Sequence, residues 1–248
     1  MTVHFEHATR AAQGARTYQE DAADLRQDPG GLTAVLADGM GGHAGGAVAS
    51  ALASANFLQA FSASSGDVRA RLNEGLDRAN AAIAAGTAER PDLTGMGCTL
   101  IGAALGDGRI DWVSVGDSPL YLVRRDGIHR LNADHSLAPE IDKLAERGLI
   151  SWDDARDDPR RHILRSALTG TEIELIDRPE AAMPLAPDDV VILASDGIHS
   201  ITEAEIARVV AGAGAPDAAA EALLAAVAAV GHPHQDNTTV VVVRVVGS

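Results

Sequence analysis

Cys98-Thr99-Leu100-Ile101-Gly102-Ala103-Ala104-Leu105-Gly106-Asp107-Gly108-Arg109-Ile110-Asp111-Trp112-Val113-Ser114-Val115 is the stretch that decides the fold class. Two apolar runs of strand length, 98–105 and 109–115, flank Gly106-Asp107-Gly108, a connection with hairpin chemistry. The arrangement repeats at once, with 120–124 and 128–131 flanking Arg125-Asp126-Gly127. Strands joined by tight turns are antiparallel, because parallel neighbours need a long crossover. The middle of the chain therefore reads as an antiparallel meander, and a simple doubly wound parallel sheet is excluded.

Outward from this centre, further strands are expected at 3–8, 32–37, 190–194 and 238–246, with a polar loop through Asp28-Pro29-Gly30-Gly31. Helices are expected at 47–62, at 67–85 with Val68, Leu72, Leu76 and Ile83 on one face, and at 218–230. Thr202 with Glu205 three residues on forms a capping-box pattern. Pro139 can open a helix over 140–147 that Gly148 ends, and a charged segment follows from Ser151 to Arg161. This region is read as a flap-like insertion around 138–170 within a single domain spanning 1–248; its bland counterpart is a solvated pair of connecting helices.

The 248 residues are 46% apolar, ample for a sizeable core, but only 3% aromatic, so Ala, Val, Leu and Ile must fill it. A net charge of −15 argues against nucleic acid or an anionic membrane as partner. The single cysteine, Cys98, excludes an internal disulfide and a cysteine-rich zinc site, and reads as a small core residue. No signal-like N-terminus and no bilayer-length apolar run is seen, so a soluble, cytoplasmic, monomeric protein is expected.

Five acids stand beside Gly, Ser or Asn: Asp21, Asp38, Asp117, Asp196 and Asp236. Three of them, Asp38, Asp117 and Asp196, closely follow apolar runs, which places their carboxylates at strand ends where they can converge. Gathered carboxylates repel unless cations separate them, which suggests a site for hard metals. Any single Asp-Gly pair is more often a turn, as Asp107-Gly108 and Asp126-Gly127 are read here. Gly39, Gly41 and Gly42 allow close backbone approach, and Asn237 is expected to fix a turn through its amide.

Seven motifs in order resemble the metal-dependent PP2C-type (PPM) serine/threonine phosphatases in their bacterial form. They are Gly14-Ala15-Arg16-Thr17-Tyr18-Gln19-Glu20-Asp21, Asp38-Gly39-Met40-Gly41-Gly42-His43, Gly97-Cys98-Thr99-Leu100 and Gly116-Asp117-Ser118, followed by Asp134-His135-Ser136-Leu137, Ser195-Asp196-Gly197 and Asp236-Asn237-Thr238-Thr239. The resemblance implies an α+β fold, a four-layer α-β-β-α sandwich of two mostly antiparallel sheets flanked by helices. It implies hydrolysis of phosphoserine and phosphothreonine by direct attack of a water activated between two Mn²⁺ or Mg²⁺ ions. By the same resemblance Asp38 bridges the ions, Asp196 and Asp236 hold the first, and the Gly39 carbonyl reaches the second. Glu20 or Asp21 serves that second ion, Asp117 with Asp196 serves a third and weaker one, and Arg16 grips the phosphate. The implied partners are phosphorylated proteins, substrates of a serine/threonine kinase.

Met40 stands where animal relatives carry a histidine proposed as general acid, which leaves the proton donor unassigned; His43 is close in sequence but as readily a packing residue. Pro119 and Ala47 replace the family's usual arginine and glutamate. A cysteine phosphatase is excluded because Ala104, not arginine, lies six positions after Cys98. His232-Pro233-His234 reads as a solvated loop rather than a metal site. The rival from another class is a catalytically silent phosphoprotein-binding regulator of the same fold. Loss of a metal aspartate or of Arg16 would favour it, and all are present.

Overall fold

Alternate residues of β3 (Gly31–Met40) are apolar on both faces, and each face is buried in a different cluster. Leu32, Ala34 and Leu36 pack with Val241, Val243 and Val245, whereas Val35 and Ala37 join Phe57 and Leu76 on the other side. A strand apolar on both sides belongs between two layers. The computed structural model, which describes residues 3–28, 30–41 and 44–247, builds the whole molecule on that principle.

One sheet runs in the order β1 (Val3–Ala12), β11 (Thr238–Gly247), β10 (Val190–Ala194), β7 (Leu120–Arg124) and β8 (Gly127–Arg130). The other runs β2 (Asp21–Asp28), β3, β5 (Leu100–Gly106), β6 (Arg109–Val115) and β9 (Met183–Pro184), with short β4 (Gly97–Cys98) also on β3. Their pairings are antiparallel. Leu36, Ile101, Trp112, Leu193 and Val243 fill the space between the sheets. Helices α1 (Ala44–Ala63) and α2 (Val68–Glu89) cover the outer face of the second sheet, and α5 (Glu203–Gly212) and α6 (Pro216–Val230) that of the first. The four-layer sandwich is therefore observed. No described helix is long and apolar enough to cross a membrane.

The helix ends obey local chemistry. Asp67 Oδ1 accepts the Ala70 amide (2.8 Å) to cap α2, and Thr202 Oγ1 accepts the Glu205 amide (3.2 Å) at α5. Pro139 lies in the first turn of α3 (Ala138–Glu146), and Ser151 with Asp154 forms a capping box on α4 (Trp152–Asp157). These two helices share a small core of their own, Ile141, Ala145 and Ala155.

Four expectations need correction. Residues 21–28, read as part of a polar loop, form edge strand β2; only Ala23 and Leu25 pack inward, so its alternation is faint, and backbone pairing with β3 supplies the order. The run 98–105 is split at Thr99, which turns to bond Asp38 instead. The expected meander is two hairpins in different sheets, with Gly116-Asp117-Ser118-Pro119 crossing between them. Val68, placed on the buried face of α2, is 41% exposed, and Gly75 and Ala79 complete that face. Gly42 and His43 lie outside the described residues.

Phe57 is fully buried between α1, α2 and the second sheet. Phe57→Ala is expected to lower unfolding stability by about 3–5 kcal/mol. Chemical denaturation with an unchanged m-value checks this, and a loss below about 1 kcal/mol contradicts the packing described.

Candidate active site

Asp38 reaches the end of β3 with both of its main-chain groups tied to Thr99: its amide donates to Thr99 Oγ1 (3.1 Å) and its carbonyl accepts the Thr99 amide (2.8 Å). Thr99 Oγ1 also shares a hydrogen with Ser118 Oγ (2.7 Å). One hydroxyl bridge thus fixes the strand carrying Asp38 against the crossing that carries Asp117. That crossing is held in turn by Arg130 Nη2, which donates to the Asp117 carbonyl (2.7 Å), and by Asn132 Nδ2, which donates to the Ser118 carbonyl (2.9 Å). Asp196 opens the 3₁₀ turn after β10, and its amide faces Asp38 Oδ2 (3.4 Å). Asp236 precedes β11 and accepts its neighbour's amide, Asn237 N to Asp236 Oδ1 (2.8 Å).

Asp38, Thr99, Asp117, Asp196 and Asp236 line a cavity of about 610 Å³ with Arg16, Glu20 and Gly39. A Cβ on Gly39 would lie 2.2 Å from the Gly46 carbonyl and 2.5 Å from that of Glu20, so no other residue fits there. Arg16 Nη2 donates to Asp236 Oδ2 at the mouth. The lining also includes residues that the sequence reading did not single out, among them His162, Glu172 and Glu174.

Burial and mutual repulsion dominate the electrostatics. Burial, then Asp196, Asp21, Asp117 and Asp236 in that order, hold the Asp38 carboxyl well above the usual range. Burial followed by Asp117, Asp236 and Asp21 pushes Asp196 to about 7. Asp117 rises to about 6 through burial and then Asp134, and Asp21 to about 6 chiefly through burial. Such a set favours either protons or cations.

The model of the protein phosphatase 2C family matches residues 10–225. The chain belongs to that family. It is 34% identical to the serine/threonine protein phosphatase PstP of Mycobacterium tuberculosis over 201 residues, covering 80% of this chain but only 37% of that protein. The chain thus spans well under half of that relative. It is 33% identical to the serine/threonine phosphatase stp of Listeria innocua over 181 residues, covering 71% of this chain and 70% of that one. The crystal structure of the PstP catalytic domain in complex with two manganese ions superposes with a TM-score of 0.82 at 31% identity, covering 99% of this chain and all of that one.

In this PP2C-family chain, Glu20 and Asp21 part company. Glu20 lines the cavity, with Oε1 lying 2.5 Å from where a Gly46 Cβ would stand. Asp21 does not line it; it stands opposite Asp38 in the β2–β3 register and accepts the Ser195 hydroxyl (2.7 Å). Ser195, fully buried, escaped the sequence reading except as a motif neighbour. Contrary to expectation, Asn237 does not fix a local turn: its amide bonds Gln13, Tyr18 and Glu20 instead, and the nearby turn is closed by the Gln235 amide on the His232 carbonyl. Cys98 is buried and free, as a core residue, and His232 and His234 are exposed. Among the described residues, no three His, Cys, Asp or Glu side chains are gathered closely enough to ligate an ion as they stand; the cation facing Asp236 is Arg16.

Native Asp196 keeps its proton up to a pH of about 7, whereas the unfolded chain releases it near the ordinary 3.8. Between those values the native state binds more protons, so stability falls as pH rises. In EDTA, Asp196→Asn is expected to melt with wild type near pH 4 and to exceed it near pH 8, by an amount on the order of a few kcal/mol. Thermal melts across that range test this, and a pH-independent difference speaks against the repulsion. With Mn²⁺ added the order is expected to reverse, because binding to the native state stabilises it.

Proposed function

We propose that this chain hydrolyses phosphoserine and phosphothreonine esters in proteins by direct attack of water, with two divalent cations as cofactors. The observation that carries this is one cavity lined together by a guanidinium, Arg16, and a carboxylate set, Asp38, Asp117, Asp196 and Asp236. Carboxylates alone would argue for a cation site only; the fixed fork of Arg16 adds recognition of a phosphate dianion. The donors are oxygens, which suit Mn²⁺ or Mg²⁺ better than zinc or copper.

Asp38, at the centre of the repelling set, is the residue suited to bridge two ions. Asp196 and Asp236 would hold the first, Glu20 with the Gly39 carbonyl the second, and Asp117 with Asp196 a weaker third. Asp21 lies behind Asp38 and holds its position, kept in place by Ser195. When bound, such ions neutralise charge on the phosphoryl oxygens and lower the pKa of water. Arg16 leaves Asp236 to take two phosphate oxygens and thereby orients the ester. Met40 lines the cavity and has no proton to give. Cys98 is unsuited to act as a covalent nucleophile, because it is buried and burial pushes its thiol up in pKa.

Residues 138–170 form a flap over one side of this site, with its own small core, in a domain that spans the chain. The partners are phosphorylated proteins, the work opposes that of a serine/threonine kinase, and the setting is a cytoplasmic monomer. A silent regulator is the weaker reading, because Arg16 shares one cavity with Glu20, Asp38, Asp117, Asp196 and Asp236.

Hydrolysis of a phosphothreonine peptide is expected with MnCl₂ and not with EDTA. Arg16→Ala is expected to lower kcat/KM by about 10²-fold, and Asp236→Ala to fall to background while keeping its far-ultraviolet dichroism. Background turnover with Mn²⁺, unchanged by Asp38→Asn, would falsify the phosphatase reading.

A further inference from the structure

The geometry points to Asn237 as the residue that positions Arg16 and Glu20, an assignment that rests on the phosphatase reading above. Its side chain lies in a residue only 3% exposed, and its polar atoms are committed to main chain more than two hundred positions away. Oδ1 accepts the Glu20 amide (2.8 Å), and Nδ2 donates to the carbonyls of Gln13 (2.8 Å) and Tyr18 (3.0 Å). An amide offers one acceptor and two donors on a single planar group, and all three are used. The bonds fall at residues 13, 18 and 20, on either side of Arg16 in the loop that carries it.

That loop has no strand or helix of its own, and the side chains of Arg16 and Tyr18 are exposed. Its other ties to the neighbouring segment are the ion pair of Arg16 with Asp236, the Ala15 amide to the Gln235 carbonyl (2.8 Å) and the contact at Gly14. Gly14 has φ +62°, and a Cβ there would lie 2.4 Å from the Asp236 carbonyl and 2.5 Å from that of Gln235. Loop and turn therefore meet backbone to backbone, and Asn237 clasps them from inside. Because Asn237 follows Asp236, one dipeptide sets the spacing among three groups: the Asp236 carboxylate, the Arg16 guanidinium and the Glu20 carboxylate.

The sheet does not need this clasp. β1 and β11 pair from Val3 with Gly247 to Ala12 with Thr238, which leaves the Asn237 side chain outside the ladder. An interior hydrogen-bonding set placed outside the ladder, and directed only at the loop that carries the site, is the mark of a positioning residue.

Two variants test this in the full chain: Asn237→Ala, and Asn237→Asp, which keeps an acceptor for the Glu20 amide and loses both donors. Asn237→Ala is expected to weaken Mn²⁺ binding in substrate-free calorimetric titration by about 10- to 100-fold. Its kcat/KM for a phosphothreonine peptide is expected to fall by about 10²-fold with a raised KM, and faster amide exchange is expected to be confined to residues 13–20. Asn237→Asp is expected to keep the Glu20 amide protected and still to raise the KM. Wild-type KM and Mn²⁺ affinity in folded Asn237→Ala overturn the assignment, as does exchange that quickens evenly along the chain. If Asn237→Ala does not fold, Asn237→Asp decides on KM and exchange: wild-type values for both reject the clasp. A wild-type chain inactive with Mn²⁺ defeats the phosphatase reading instead, while titration and exchange still judge Asn237.

Discussion

Asp21 and Asp38 face each other across β2 and β3, two carboxylates placed where a sheet ordinarily avoids like charges. Asp117, Asp196 and Asp236 then add to the repulsion on Asp38. A chain free to relax would spread these groups into water. They stay together because each is fixed by main chain that the sandwich will not release: Asp38 by the ladder and Thr99, Asp117 by the crossing between sheets, and Asp196 by the turn after a fully buried strand. The stability of the two-sheet core holds this crowd together, and its relief by cations is the chemistry the crowd can do.

The same frame explains why the hydroxyls matter. Thr99 and Ser118 share a hydrogen bond in the interior, and Ser195 accepts the Thr239 amide (2.9 Å) while donating to Asp21. Each joins two elements that carry acids rather than carrying chemistry itself. In a low-dielectric interior such bonds are strong and directional, so they fix distances that long side chains could not.

Much of this was legible in the chain. Runs such as 190–194 and 238–246 could be recognised as strands because both faces are apolar, and the motif order pointed to the family and to the two-sheet sandwich. Period two identifies a strand and its faces but not its neighbours, so the change of sheet at Gly116-Asp117-Ser118-Pro119 was invisible. β2 was invisible for the opposite reason: Asp21-Ala22-Ala23-Asp24-Leu25-Arg26-Gln27-Asp28 has too little apolar alternation, and it is a strand because β3 offers it a backbone edge. Asn237 was misjudged because its motif neighbours suggested a local turn, whereas its partners lie at the other end of the sequence.

Arg16 brings the two halves of the site into one balance. It bonds Asp236, a carboxylate also suited to an ion, and the same guanidinium is the group suited to phosphate. Asp236 could not give the same lone pairs fully to both, so an ion held there would weaken its bond to Arg16. A partly exposed ion pair of this kind contributes little to stability, about 0–1 kcal/mol, so the exchange opposes loading only weakly. On the proposed reading, cation and phosphate would therefore not compete for the pocket: Arg16, freed from Asp236, would be the residue that receives the phosphate.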